Sequence, residues 1–143
     1  MPEFDMGWGI IQTADLLARI ASRPRSTLWF YQDNVPANQA AVALTCLGDA
    51  VRTSYGAPAA GTIVGIVVIS NAACTGDSCT VDATIAGAVT GIQAQLNLTD
   101  TQVDSGSGSS AFTAGQLIGV KVTTTAGWLP VTADIQVGVT VQY

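Results

Sequence analysis

The sequence predicts an all-β fold: an antiparallel β-sandwich, jelly-roll-like, preceded by a short N-terminal helix and arm. Three observations carry this. Apolar and polar residues alternate along segment after segment, most plainly in Val131-Thr-Ala-Asp-Ile-Gln-Val-Gly-Val-Thr-Val-Gln-Tyr143, where every odd position is apolar or aromatic and every even one is polar or Gly. Clusters of Gly, Pro, Asn, Asp and Ser break the chain at the spacing of short strands. Between those strands no helical period long enough for a crossover occurs, which excludes a parallel α/β architecture. The length of 143 residues is that of one domain, divided into an arm over 1–25 and a sandwich over 26–143.

In the arm, Thr13 is a good N-cap, Asp15 suits a first turn, and Leu16, Leu17 and Ile20 share one face before Arg23 and Pro24 end the helix. A helix of about three turns is marginal alone in water, so its apolar face must dock on something. Upstream, Met6-Gly-Trp-Gly-Ile-Ile11 sets Trp8, Ile10 and Ile11 in an adhesive stretch with little structure of its own. Both segments either fold back on their own sandwich or reach a neighbouring subunit.

The strands follow in order over 27–32, 40–47, 62–70, 79–86, 91–99, 116–125 and 131–143. Turn chemistry separates them in Asn34-Val-Pro-Ala-Asn38, Tyr55-Gly-Ala-Pro58, Ala86-Gly-Ala88, Asp104-Ser-Gly-Ser-Gly-Ser-Ser110 and Gly127-Trp-Leu-Pro130. Alternation is clear at Cys79, Val81, Ala83, Ile85 and at Ile92, Ala94, Leu96, Leu98. The run 105–110 reads as a flexible hairpin tip; no Gly-Lys-Ser/Thr follows it, so it is not a phosphate loop. In the last strand the odd residues belong to the core. The even face, Thr132, Asp134, Gln136, Gly138, Thr140 and Gln142, holds one charge and is a candidate subunit contact.

Charged residues are 10% of the chain, against about 25% in a typical soluble domain. Thr, Ser, Gln, Gly and Ala replace them, a surface that suits contact with other protein. The net charge of −5 is uneven: Arg19, Arg23, Arg25 and Arg52 precede a body in which only Lys121 faces Asp77, Asp82, Asp100, Asp104 and Asp134. Nucleic acid is not an expected partner, because phosphate neutralisation needs clustered Lys and Arg. The first arginines read as a solvated helix end. The longest apolar run, Thr62-Ile-Val-Gly-Ile-Val-Val-Ile69, is far short of the roughly 20 residues of a membrane span and is β-branched like a buried strand. The opening residues are acidic, unlike the basic start of a signal peptide.

Catalysis fails on its requirements, and no enzyme is expected. The chain has no His, which removes the usual nucleophile–base pairs and the commonest zinc ligand. Lys121 sits between Val120 and Val122 and should point to solvent. Asp77, Asp100 and Asp104 fall in expected turns, Asp82 and Asp134 on polar strand faces. Asp100-Thr-Gln-Val-Asp104 lacks the ligand spacing of a calcium loop, so neither a metal nor a cofactor is expected. Cys74 and Cys79 flank the turn-forming Thr-Gly-Asp-Ser and could face each other as a disulfide or as neighbouring thiols; without His or a second pair they cannot build a zinc site. Cys46 reads as a small core residue. Asn97-Leu-Thr99 fits a short glycosylation pattern that arises often by chance.

Ala57-Pro-Ala-Ala-Gly-Thr-Ile-Val-Gly-Ile-Val-Val-Ile-Ser70, Thr80-Val-Asp-Ala-Thr-Ile-Ala-Gly87, Ala111-Phe-Thr-Ala-Gly-Gln-Leu-Ile-Gly-Val-Lys-Val122 and the closing strand resemble small β-sandwich proteins of tailed bacteriophages. These are the capsid decoration (cement) proteins and the fibre or knob head domains. The resemblance spans 57–143. It implies a structural virion protein on the capsid surface, a homotrimer that binds the major capsid protein and stabilises the shell, with no cofactor. On that reading Trp8, Ile10, Ile11, Leu16, Leu17 and Ile20 would be the capsid-facing or subunit-swapping element. The alternative it leaves is a receptor-binding knob, taking carbohydrate through exposed aromatics. Trp128 is then the first candidate and Tyr55 the second, although a Trp plugging the sandwich end is the commoner role of such a loop residue.

Overall fold

A computed structural model of the chain describes residues 23–143. The helix expected over 13–20 and the stretch 6–11 lie outside the described residues, and so do Trp8, Ile10, Ile11, Leu16, Leu17 and Ile20. The described chain forms strands β1 (Arg25–Gln32), β2 (Val42–Ala43), β3 (Thr45–Cys46), β4 (Ser54–Gly56), β5 (Gly61–Ser70), β6 (Cys79–Ile85), β7 (Ala88–Leu96), β8 (Val103–Phe112), β9 (Leu117–Thr124) and β10 (Ile135–Gln142). All pair antiparallel, in two sheets. The first runs β3-β1-β10-β5-β8; the second runs β2-β9-β6-β7, with β4 also lying along β9. The all-β sandwich read from the sequence is the fold observed.

The sheets close over a continuous apolar core that includes Phe30, Ile63, Val68, Val81, Leu96, Val122 and the odd residues of β10 from Ile135 to Val141. The last strand begins later than its alternation suggests, because Asp134 is occupied in tying loops together. Its Oδ1 accepts the Asn34 N–H at 2.8 Å, its Oδ2 accepts the Asn71 side-chain amide at 3.0 Å, and its own N–H donates to Asn71 Oδ1 at 2.9 Å. Trp128 is fully buried, and its indole N–H donates to the Val35 carbonyl at 3.0 Å, plugging the sandwich between two loops.

Three local expectations are corrected. The single strand over 40–47 is two short ones, β2 on β9 and β3 on β1. The chain there crosses between sheets, with Ala41 in the left-handed region at φ 51° and Leu44 buried midway. β4 was not foreseen at all; three residues with a half-buried Tyr carry too little period to be recognised. Most instructive is 105–110, expected as a flexible tip, which runs within β8 and pairs with β5 from Ile69↔Val103 to Gly61↔Phe112. The glycines are there because β7 passes close. A Cβ on Gly106 would overlap the Gln93 carbonyl, and one on Gly108 would come within 2.7 Å of Ile92 Cγ1. Asp104, expected in a turn, sits in the same strand and accepts the Gln95 N–H at 2.7 Å.

Tyr55 and Gly56, expected in a turn, belong to β4, whereas at Ala86-Gly-Ala88 the turn chemistry holds. Ala86 and Gly87 both take positive φ, 51° and 81°, in the two-residue hairpin between β6 and β7, as a type I′ turn requires. β5 bulges where Val141 pairs with Ile63 and Thr140 with Gly65, so the residue between, Val64, is extra and the strand changes faces across it.

Candidate interaction surface

The functional candidate is a face. Along β10 the odd residues are buried and the even ones point away from the core, and the registers of β1, β5 and β8 extend these even positions into cross-strand rows. One row reads Tyr31, Gln136, Ile69, Val103; the next Trp29, Gly138, Val67, Ser105; then Thr27, Thr140, Gly65, Ser107; and last Arg25, Gln142, Thr62, Ala111. Arg25 is the only charge in these rows, and its Nε donates to Gln142 Oε1 at 3.1 Å. Ile69 and Val103 are 43% and 57% exposed, so the apolar end of the face is open to solvent.

Trp29 owes its place to Gly138. A Cβ there would lie 3.0 Å from the indole ring and from Thr27 Cγ2, so the missing side chain lets the ring lie across β10. At the Tyr31 end the face dips into a shallow recess of about 520 Å³, bordered by Tyr31, Leu47, Ile69, Asn71, Asp134 and Gln136. Both side-chain atoms of Asn71 and both carboxylate oxygens of Asp134 are spent on the loop clamp. Asp33 also lines the recess, so a carboxylate stands beside its apolar walls.

The outer face of the second sheet is different in kind. Its cross-strand partners are Thr80 with Gln95 and Thr123, and Asp82 with Gln93 and Lys121. Gln95 Nε2 donates to Thr80 Oγ1 at 2.9 Å. Lys121 does not point freely into solvent as expected; its ammonium donates to the Gly87 carbonyl at 2.7 Å, holding the β6–β7 hairpin. Partial burial raises the Asp82 carboxyl above its usual range. This is a mostly polar surface carrying both signs of charge, with Leu117 exposed at the start of β9.

The other residues singled out from the sequence have structural roles. Trp128 is internal. Tyr55 donates its hydroxyl to the Trp29 carbonyl at 3.1 Å and stands edge-on to Phe30, ring centroids 5.3 Å apart. Burial pushes the Tyr55 hydroxyl and the Cys46 thiol beneath it above their usual pKa ranges, so neither ionises readily. Cys46 is a core residue, 1% exposed. Cys74 and Cys79 are buried free thiols; Cys79 is pushed up to about 12 by burial and then by the neighbouring Cys74, which leaves it a poor nucleophile. Asp77, at φ 51°, and Asp100, whose N–H donates to Asn97 Oδ1 at 2.9 Å, are turn residues as expected. Among the described residues, no three His, Cys, Asp or Glu side chains converge as metal ligands would, and no helix is long and apolar enough to cross a membrane.

Trp29, Tyr31, Val67, Ile69 and Val103 were not picked out from the sequence. A signal existed: Leu28-Trp-Phe-Tyr31 and Ile63-Val-Gly-Ile-Val-Val-Ile69 are apolar on both faces, whereas a sandwich strand with one solvated face alternates.

No protein-family model matches the sequence, and no curated protein matches it. Among solved structures the chain is similar to the globular domain of zebrafish complement 1qA protein, at 10% identity over 83% of this chain and 97% of that one, TM-score 0.42. It is also similar to Eiger TNF from S. frugiperda, at 11% identity over 85% and 94%, TM-score 0.40. A third is GITRL from bushbaby, at 10% identity over 82% and 96%, TM-score 0.30. These overlaps are too loose to bear on ligand, partner or oligomeric state.

Proposed function

We propose that the chain is a structural protein of a bacteriophage particle, a cement protein that sits on the capsid surface as a homotrimer and stabilises the assembled shell. The observation that carries this is the partly apolar outer face of the first sheet, whose rows hold Arg25 as their single charge, on a chain whose net charge is −5. A face of that kind suits contact with protein. The apolar residues Trp8, Ile10, Ile11, Leu16, Leu17 and Ile20 supply a second adhesive element, which on this reading meets the major capsid protein. A component that binds only the assembled shell stabilises it by mass action, by about 2.7 kcal/mol per site at a free concentration of a hundred times Kd. Three arms on one trimer add avidity.

The competing reading, a receptor-binding knob that takes carbohydrate, has lost both aromatic candidates: Trp128 is inside the sandwich and the Tyr55 hydroxyl is committed to the Trp29 carbonyl. Co-sedimentation with expanded phage shells tests the cement reading. The full chain should pellet with shells, while a chain lacking residues 1–22, which keeps β1 and the Tyr143 N–H to Pro24 carbonyl bond, should lose at least about tenfold in affinity. Full decoration by the truncated chain would remove the arm from the mechanism, and no binding by either would overturn the reading.

A further inference from the structure

The homotrimer leaves open which surface joins the copies, and the two outer faces of the sandwich are not equivalent. We propose that the outer face of the first sheet, centred on Trp29, Tyr31, Val67, Ile69 and Val103, is where a second copy of this chain packs. This inference rests on the self-associating reading and gives it a location.

Charge selects the occupant. Every copy carries a net charge of −5, so the approach of two copies is opposed least where the surfaces that meet add no like charges at close range. The four-strand rows from Tyr31 to Ala111 are neutral apart from Arg25, which is already bonded to Gln142. The opposite face presents Asp82 and Lys121 amid Thr and Gln, with Leu117 as an exposed apolar residue at the start of β9, and its polar groups keep their hydration at little cost. A basic partner would find no acidic groups in the rows to pair with; a second copy needs none.

Chemistry and size agree with charge. Trp and Tyr are the residues most often found as energetic anchors of interfaces, and here Trp29 and Tyr31 stand beside exposed Ile69 and Val103. Four strands about 4.8 Å apart and eight residues long cover roughly 20 by 25 Å. That is about 500 Å² in projection, and side-chain relief brings it towards the about 800 Å² per partner of a stable interface. The recess of about 520 Å³ beside Tyr31, lined by Leu47, Ile69 and Ile135 as well as by Asp33 and Asp134, gives an otherwise flat face a hollow that a side chain of the second copy can enter. Contact through the face also spares the sheet edges, so no strand pairing has to be remade.

Sedimentation equilibrium on the full chain decides this. The wild type should have a mass three times that of the 14.6 kDa chain across the micromolar range. The double variant Ile69→Glu/Val103→Glu changes two side chains that the single copy leaves exposed, so it should fold. It places like charges at the contact and should weaken association by about a hundredfold or more, giving a monomer. Gln93→Glu/Thr123→Glu on the opposite face, with the same added charge, should keep the wild-type mass, and circular dichroism melts should show all three chains folded. If the Ile69→Glu/Val103→Glu chain is folded and retains the full mass, this face is not the interface, while the self-associating reading survives. If the control dissociates equally, net charge and not this face governs assembly, and the assignment is again overturned. A wild type monomeric throughout overturns both the interface and the homotrimer, with shell binding judged separately by co-sedimentation.

Discussion

At the scale of single residues, positions that break a local rule report where tertiary structure intervenes. Ala86 holds φ 51° in a turn where Asn is the favoured residue, and a left-handed conformation costs an L-residue about 1–2 kcal/mol. Ala86→Asn should therefore stabilise the sandwich by about 1 kcal/mol in urea unfolding, because Asn tolerates that conformation and the side chain is exposed. Asp82 is a second case, since partial burial raises its carboxyl above the ordinary 3.8. A carboxyl raised in the folded state favours folding while protonated, below its unfolded value, and loses that contribution as pH rises through its folded value. Lys121 stands opposite Asp82 in the register but is held by the Gly87 carbonyl, which limits its compensation. Asp82→Asn should thus raise the melting temperature at neutral pH, and the gain should vanish when melts are repeated below pH 3.8. An equal gain at both pH values would show that ionisation is not the cause.

At the scale of elements, β8 shows how a sequence that looks disordered becomes a strand. Asp104-Ser-Gly-Ser-Gly-Ser-Ser110 has almost no side-chain period, since one face carries only hydroxyls and the other mostly hydrogen atoms. Its conformation is supplied by neighbours: β5 satisfies the backbone along its length, and β7 comes so near that a Cβ on Gly106 or Gly108 would collide. Gly106→Ala should cost about 2–3 kcal/mol in denaturant unfolding, because β7 and β8 must separate. Ser107→Ala, on the outer face, should change stability by less than about 0.5 kcal/mol. Equal small effects would mean that the two sheets do not close tightly along this edge. The contrast with β10 is physical: its Ile and Val side chains announce their own burial at every second residue, whereas a glycine contributes nothing a local pattern can register.

At the scale of the whole molecule, the division of labour predicted is that one sheet face meets other copies, the second stays solvated, and residues 1–22 hold the shell. The Ile69→Glu/Val103→Glu chain separates the first role from the third, because a dissociated protein that keeps its arm should still bind shells, only without avidity. Much of this architecture was legible in the sequence. The all-β class, the core residues of β6, β7, β9 and β10, a break at Ala86-Gly-Ala88, the internal place of Cys46 and the low charge of the last strand's even face all follow from periodicity and turn chemistry. Those signals are local: alternation says that one side of a strand is buried, and a Gly or Asn says that the chain can turn. Only the tertiary structure decided which strands lie side by side, and that is what joins Trp29, Val67 and Val103, distant in sequence, into one surface. It also decided that Trp128 is a plug and that a glycine-serine run is a strand, because burial and close approach depend on what packs opposite, and no single segment encodes its own neighbours.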